Sequence, residues 1–254
     1  MLYQAHKGVS TDFPENTMPA FRAAVQQGYS TIELDVSVTA DEQFVLLHDG
    51  TLNRTGRNAD GSKFTAPVAI EDITYAETQA YDFGIWRGEA FRGTKMPLLT
   101  EVLAFARRSG VRLKIDNKYQ GFTEKQKNAF FAMLRPWEDA ACLTCKDIQA
   151  LTEAAAVFPQ MHFHYDGPVT PEILAELTAL VPKDRLTVWK PMRNKNTAWV
   201  KVEFLNEETA EQIKKCASLG VWILSEESEL AEAERLGADI IETNGQLKPA
   251  DCFF

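Results

Sequence analysis

Short apolar runs and amphipathic runs alternate along this chain. Strand-like runs fall at 2–6, 31–38, 111–116, 141–145, 161–165, 186–190, 221–224 and 239–243. Between them, apolar residues recur at helical spacing over 99–109, 124–137, 147–158, 171–181, 206–219 and 227–236. That spacing marks helices with one buried face. A further helix is predicted to open at Asn16, a residue type favoured at N-caps. Pro19 lies in its tolerated first turn, Met18, Phe21 and Val25 share one face, and Gly28 stops it. Leu219-Gly220 and Leu236-Gly237 read as helix stops feeding straight into strands. Eight strands alternating with helices predict a closed parallel barrel, the α/β (β/α)8 TIM barrel. An open doubly wound sheet is the alternative, but no Gly-rich phosphate loop follows the first strand. Two stretches fit no minimal barrel: an excursion at 50–96 after the second strand, and 191–204, where 198–204 offers a competing sixth strand.

Length supports this picture, because 254 residues suit one barrel domain spanning 1–254. The chain is 45% hydrophobic and 25% charged, as expected of a globular protein with a sizeable core. A net charge of −9 argues against a nucleic-acid partner held on a basic surface. It leaves room for a small anionic substrate, since a bound cation inverts local electrostatics. No basic segment leads into an apolar run at the N-terminus, and no run reaches the roughly 18 apolar residues of a spanning helix. A cytoplasmic location without a transmembrane segment is therefore expected; the oligomeric state is left open. Cys142 and Cys145 form a C-x-x-C, but residues three apart on a strand point to opposite faces. They read as structural thiols rather than a redox or zinc pair.

The alternation within strands carries the chemistry. In Thr31-Ile32-Glu33-Leu34-Asp35-Val36, Glu33 and Asp35 share one face and Ile32, Leu34 and Val36 the other. With the apolar face on the helices, both carboxylates point into the barrel. Two such groups together need something positive, and a hard divalent cation answers that need economically. A turn at 39–42 folds the next run back, so that His48 returns level with Asp35. His6 ends the neighbouring first strand. Lys114, Asp116 and Lys118 share the inward face of the third strand, so Asp116 is a third carboxylate and Lys118 a cation at the mouth. Oxygen-only ligands select Mg²⁺ or Ca²⁺. Two histidines then remain as an acid–base pair, which suits attack at phosphorus.

These residues resemble the glycerophosphodiester phosphodiesterase family of the phospholipase-C-like phosphodiesterase superfamily. The resemblance rests on His6-Lys7-Gly8, Pro14-Glu15-Asn16-Thr17, Glu33-Leu34-Asp35-Val36, His48-Asp49, Leu52-Asn53-Arg54-Thr55, the stretches Asp82-Phe83-Gly84 and Met96-Pro97-Leu98, and the closing Ile240-Ile241-Glu242-Thr243-Asn244. It is dense over 4–118 and thin afterwards. It implies a phospholipase-C-like (β/α)8 barrel that hydrolyses glycerophosphodiesters to glycerol 3-phosphate and an alcohol. His6 and His48 would be catalytic, Glu33, Asp35 and Asp116 would hold one divalent cation (Mg²⁺ or Ca²⁺), and Lys7, Lys118 and Trp222 would face the substrate. It also implies that 50–96 is an insertion that caps the site and reads the glycerol.

Three positions depart from the pattern. Lys7 stands where an arginine is usual, giving a point charge in place of a planar fork. Asp116 replaces a glutamate, and Thr243-Asn244 a Thr-Asp. The alternatives are a lysophospholipid or sphingolipid phosphodiesterase, with Phe83, Ile85, Trp86 and Phe91 as an apolar patch for the acyl chain, and a non-catalytic glycerophosphodiester-binding barrel. His162 and His164 share a strand face and read mainly as packing residues. Lys190 is a minor candidate for phosphate contact. Gly8 is expected to let the backbone pass close to the anion.

Overall fold

A computed structural model describes residues 1–249. Ten strands are described: β1 (Leu2–His6), β2 (Thr31–Leu34), β3 (Val36–Val38), β4 (Phe44–Leu46), β5 (Arg112–Ile115), β6 (Ala141–Cys145), β7 (Phe163–Tyr165), β8 (Leu186–Pro191), β9 (Ser218–Leu224) and β10 (Ile240–Thr243). Eight of them close a parallel barrel in the order β1-β10-β9-β8-β7-β6-β5-β2, and β3 and β4 form a separate antiparallel hairpin. The helices are α1 (Met18–Gln26), α2 (Tyr75–Thr78), α3 (Leu99–Ser109), α4 (Glu124–Leu134), α5 (Ile148–Val157), α6 (Pro171–Leu180), α7 (Glu207–Cys216) and α8 (Glu227–Arg235). The α/β barrel predicted from the alternation is therefore the observed one.

Period-2 patterning decides which side of each strand is apolar. Ala5, Ile32, Leu34, Leu113, Ile115, Leu143, Phe163, Val188, Leu219, Val221 and Ile241 are buried in one hydrophobic core with the helices. The opposite faces send Gln4, Glu33, Lys114, Thr144, His164, Trp189 and Glu242 into the barrel, where all are buried. Inside, Lys114 Nζ lies 3.3 Å from Glu242 Oε2, and Gln4 Nε2 also donates to that carboxylate. Lys114 Nζ sits 4.4 Å above the Trp189 ring, and Trp189 Nε1 donates to His164 Nδ1 at 2.6 Å. This polar column joins the two ends of the barrel.

Four local expectations are corrected. The strand expected over 31–38 divides at Asp35, and its second part pairs with β4 in the register Val36↔Leu46, Ser37↔Val45. Asn16 is not the N-cap of α1: Thr17 takes that position, and Asn16 adopts φ 55° and turns inward. Gly220 is not a helix stop but lies inside β9, where a Cβ would come within 2.4 Å of the Trp189 ring. Gly237, by contrast, has φ 74° and does end α8. Gly8 (φ 80°) is required by α1 rather than by an anion, since a Cβ there would meet the Ala20 backbone at 2.8 Å.

The stretch 198–204 forms no strand. Residues 50–96 build a second small core of Leu52, Ile70, Phe83 and Met96 against Val45 and Leu47 of the hairpin. Cys142, Cys145 and Cys216 are free thiols, and no helix among the described residues is long and apolar enough to cross a membrane.

Candidate active site

At the C-terminal end of the strands a pocket of about 380 Å³ gathers residues from six barrel strands and from the loops that follow the strands. It is lined by His6, Lys7, Glu33, Asp35, His48, Lys114, Asp116, Asp166, Trp189, Asn196, Trp199, Trp222, Ile223, Glu242 and Asn244. Seven of the eight residues expected at the site stand there together. The eighth, Lys118, reaches in from a 3-10 turn at Asn117–Gly121 rather than from the strand face. Its Nζ lies 3.0 Å from Asp35 Oδ1 and donates to the His48 carbonyl. Asp116 likewise follows the end of β5. A wider hollow of about 590 Å³ between α7 and α8 is lined by surface charges such as the Glu207–Arg235 pair and holds no comparable chemistry.

The hairpin register delivers His48. Leu47 N donates to Asp35 O at 3.1 Å, so the next residue stands beside the carboxylates. His48 Nδ1 meets Asp49 Oδ1 at 2.6 Å. Arg54 then donates from Nε to Asp49 Oδ2 at 2.7 Å and from Nη1 to Glu15 Oε2 at 2.6 Å. Burial alone would raise the Asp49 carboxyl, but hydrogen bonds and charge from Arg54 and His48 outweigh it and hold the pKa at about 2. Asp49 is thus a permanent anion behind the imidazole. His6 is held differently: its Nδ1 meets Asn244 Oδ1 at 2.7 Å, and its Nε2 is 3.9 Å from Glu33 Oε2. With Nδ1 donating to an oxygen in both residues, Nε2 is the nitrogen without such a bond.

The carboxylates are positioned by Asn16, which the sequence marked only as a helix cap, and by Lys7. Asn16 Nδ2 donates to Asp35 Oδ2 at 2.8 Å, and Asn16 Oδ1 accepts from the Asp35 backbone N–H at 3.2 Å. The Lys7 N–H donates to Glu33 Oε2 at 3.0 Å from a backbone with φ 60°. Lys7 Nζ lies 3.6 Å from Glu15 and 4.0 Å from Asp35. Burial, then the charges of Asp35, Glu242 and Asp116, push the Glu33 carboxyl well above its usual range. Burial would raise Asp35 too, yet Lys7, Lys118 and His48 bring it below its ordinary value. Asp166, raised to about 7 chiefly by burial, completes a group of five carboxylates facing Lys7, Lys114 and Lys118.

The donor set matches a hard divalent cation in kind: carboxylate oxygens in excess of the lysines, and no thiol. The carboxylates converge without forming a closed ligand shell, since no three His, Cys, Asp or Glu side chains among the described residues are grouped closely enough to hold an ion. Lys118 and Lys7 lie against Asp35 in this arrangement.

The insertion braces the site through Arg54 but lends no residue to the pocket wall. None of the pocket-lining residues comes from 50–96, so the expectation that this segment reads the glycerol is not supported. Phe83 is buried in its own small core, Phe91 packs on Phe13 with ring centroids 5.4 Å apart, and Trp86 Nε1 bonds to Phe83 O. The apolar wall at the mouth is instead Trp199, Trp222 and Ile223, with Trp199 72% exposed and its ring centroid 6.4 Å from that of Trp222. Lys190 is buried outside the pocket, 3.8 Å from Glu203. His162 and His164 lie at the opposite end of the barrel, in a cavity with Ser30, Arg112 and Ser218.

The sequence pattern of the glycerophosphoryl diester phosphodiesterase family matches residues 6–141, more than half of the chain. The chain belongs to that family. The matched region contains both mouth histidines and Glu33, Asp35, Asp116 and Lys118. The glycerophosphodiester phosphodiesterase of Caldanaerobacter subterraneus subsp. tengcongensis is 37% identical over 129 residues, covering 49% of this chain and 50% of that protein. The glycerophosphodiester phosphodiesterase of Bacillus altitudinis is 37% identical over 129 residues, covering 48% of this chain and 49% of that protein. The match thus spans about half the length of these curated relatives. A solved Oleispira antarctica phosphodiesterase, in complex with the product sn-glycerol-3-phosphate, superposes with a TM-score of 0.76 at 21% identity, covering 97% of this chain and 94% of that one. At that identity the likeness establishes the family barrel as the fold.

Proposed function

We propose that this chain, acting as one barrel unit over 1–254, hydrolyses glycerophosphodiesters to glycerol 3-phosphate and an alcohol at the barrel mouth. One observation carries the reading: two histidines, each with Nδ1 tied to an oxygen, face one pocket together with carboxylates and lysines. Lys7, Lys118 and Trp222 are the groups assigned to the substrate. The glycerol hydroxyl next to the phosphodiester loses its proton to His6 Nε2 and attacks phosphorus. The P–O bond to the alcohol breaks, and His48 Nε2 delivers a proton to the departing oxygen. Water then opens the cyclic phosphate with the two proton transfers reversed. His48 is the donor in the first step because the anionic Asp49 behind it stabilises an imidazolium, whereas Asn244 behind His6 is neutral.

Glu33, Asp35 and Asp116 are the residues assigned to one divalent cation, Mg²⁺ or Ca²⁺. When bound, it supplies charge neutralisation at a phosphoryl oxygen. The free thiols and the absence of a long apolar helix among the described residues are consistent with a cytoplasmic enzyme.

The direct test is release of glycerol 3-phosphate from glycerophosphocholine with Mg²⁺ or Ca²⁺, before and after EDTA. Activity that survives EDTA unchanged would remove the cation from the account. A second reading has one observation in its favour: exposed Trp199 and Val202 lie on the loop that brings Trp222 a neighbour at the mouth. A lysophospholipid would place its acyl chain there. Turnover of lysophosphatidylcholine faster than glycerophosphocholine, abolished in Trp199→Ala, would favour that lipid reading.

A further inference from the structure

Asp166 follows the end of β7 and enters the same pocket as Glu33, Asp35 and Asp116. Its two oxygens are treated very differently. Oδ2 accepts from Asn117 Nδ2 at 2.9 Å. Oδ1 is sealed from solvent and has no hydrogen-bond partner among the described residues. A buried polar atom without a partner is costly, and a buried carboxylate oxygen more so. A cation meeting that oxygen would offset the cost.

The Asn117 clasp ties this feature to the proposed cation site. Asn117 immediately follows Asp116, so the turn that presents Asp116 also fixes the direction of Asp166. In the barrel, β2, β5, β6 and β7 are consecutive. The carboxylates at their ends therefore run in one arc from Glu33 and Asp35 through Asp116 to Asp166. Asp116 is also a methylene shorter than the glutamate its family pattern leads one to expect, which draws its oxygens back toward the wall. An oxygen from the far side of the arc would complete a coordination shell that three carboxylates leave short of the 6–8 oxygens Ca²⁺ takes.

Resting on the proposed metal-dependent reading, we propose that Asp166 is a further ligand of the divalent cation, through Oδ1, and that Asn117 is its positioning residue. The supply of oxygen donors agrees, since five carboxyl groups face three lysines around this pocket. The competing role for Asp166, accepting a hydrogen bond from a glycerol hydroxyl, would require no cation.

Calorimetric titration of Mg²⁺ and of Ca²⁺ into the whole chain separates these roles without relying on turnover. Asp166→Asn keeps the size of the side chain and weakens cation binding by at least about tenfold, within the range typical for groups supporting a metal site. Asn117→Ala weakens it by less. Thermal unfolding with and without cation gives the second readout: the cation-induced rise in Tm shrinks in Asp166→Asn, while Tm without cation stays close to wild type. If Asp166→Asn does not fold, Asp166→Ser is titrated in its place, with the same expected loss. Cation affinity unchanged in the folded variant, with only KM for the diester raised, would overturn the proposal in favour of the hydroxyl contact. A wild-type chain that binds neither cation would overturn the metal-dependent reading itself, and the Asp166 assignment with it.

Discussion

At its mouth the barrel holds His6 and His48, and at its floor His162 and His164, each pair lining a cavity, of about 380 Å³ and about 320 Å³. The residue type and the fold are the same at both ends, and the partners are not. The mouth pair is backed by Asn244 and by the Asp49–Arg54–Glu15 chain, and looks onto carboxylates and lysines. The floor pair bonds to the neutral groups Thr187 and Trp189, at 2.8 Å and 2.6 Å. Burial, and then neighbouring positive charge, pushes the His162 pKa down to about 4 and that of His164 well below its usual value. An imidazole moves protons only where something stabilises both of its forms. At the floor only the neutral form is supported, as suits packing groups rather than proton carriers.

This contrast assigns rate to the mouth and stability to the column between the two ends, and it can be broken at several points. The largest expected effect on stability comes from Lys114→Met. It leaves Glu242 buried without its cation, and breaking a buried pair costs about 3–5 kcal/mol. Urea unfolding would show the loss, and adding Glu242→Gln to the same chain should restore most of it.

Gly220→Ala comes next, because its methyl would collide with the Trp189 ring. Overpacking of this kind costs roughly 1–3 kcal/mol. A Gly220→Ala protein as stable as wild type would mean that Trp189 does not fill the barrel as described.

Arg54→Leu sharpens the comparison from the other end. It removes the charge-assisted bonds that hold Asp49 behind His48. Such bonds are worth about 1.5–3 kcal/mol, so kcat should fall roughly 10–100-fold with little change in urea stability. Equal losses of rate and stability would make Arg54 a structural residue of the insertion and nothing more.

The smallest effect is a pH dependence at the floor. In the unfolded chain His162 titrates at 6.5, whereas in the folded protein it does so at about 4. Between those values the unfolded state binds more protons. The contribution of His162 to stability is therefore complete above pH 6.5 and is lost as pH falls toward 4, by roughly 1.4 kcal/mol per unit at most. His162→Gln should flatten the fall in urea midpoint between pH 6.5 and 4.5 relative to wild type. An unchanged slope would place His162 in solvent.

Much of this was legible in the sequence because alternation is a local signal. The inward Glu33 and Asp35, the return of His48 and the order of strands and helices all follow from period 2, period 3.6 and one hairpin turn. What escaped was decided by partners distant in the chain. Asn16 carries the signal of a helix cap, and only the position of Asp35 turns it inward. Leu219-Gly220 looks like Leu236-Gly237, and only Trp189 makes one of them a strand interior. Glu242 was visible as a lone carboxylate in an apolar strand, a signal that inward alternation could have flagged. Asp166 and Asn244 lie just past strand ends, where the face of a side chain no longer follows from its number. The aromatic residues of the insertion have the composition of a binding patch, yet their packing against each other and against Phe13 consumes it.

The proposed reaction gives proton transfer to the mouth pair alone. Its most direct measurement is kcat/KM for glycerol 3-phosphate release from glycerophosphocholine in four variants: His6→Ala, His48→Ala, His162→Gln and His164→Gln. Losses of about 10²–10⁴-fold are expected for each mouth variant, and rates near wild type for both floor variants wherever they remain folded. Mouth variants that keep full rate, or a folded floor variant that loses as much as they do, would contradict that assignment.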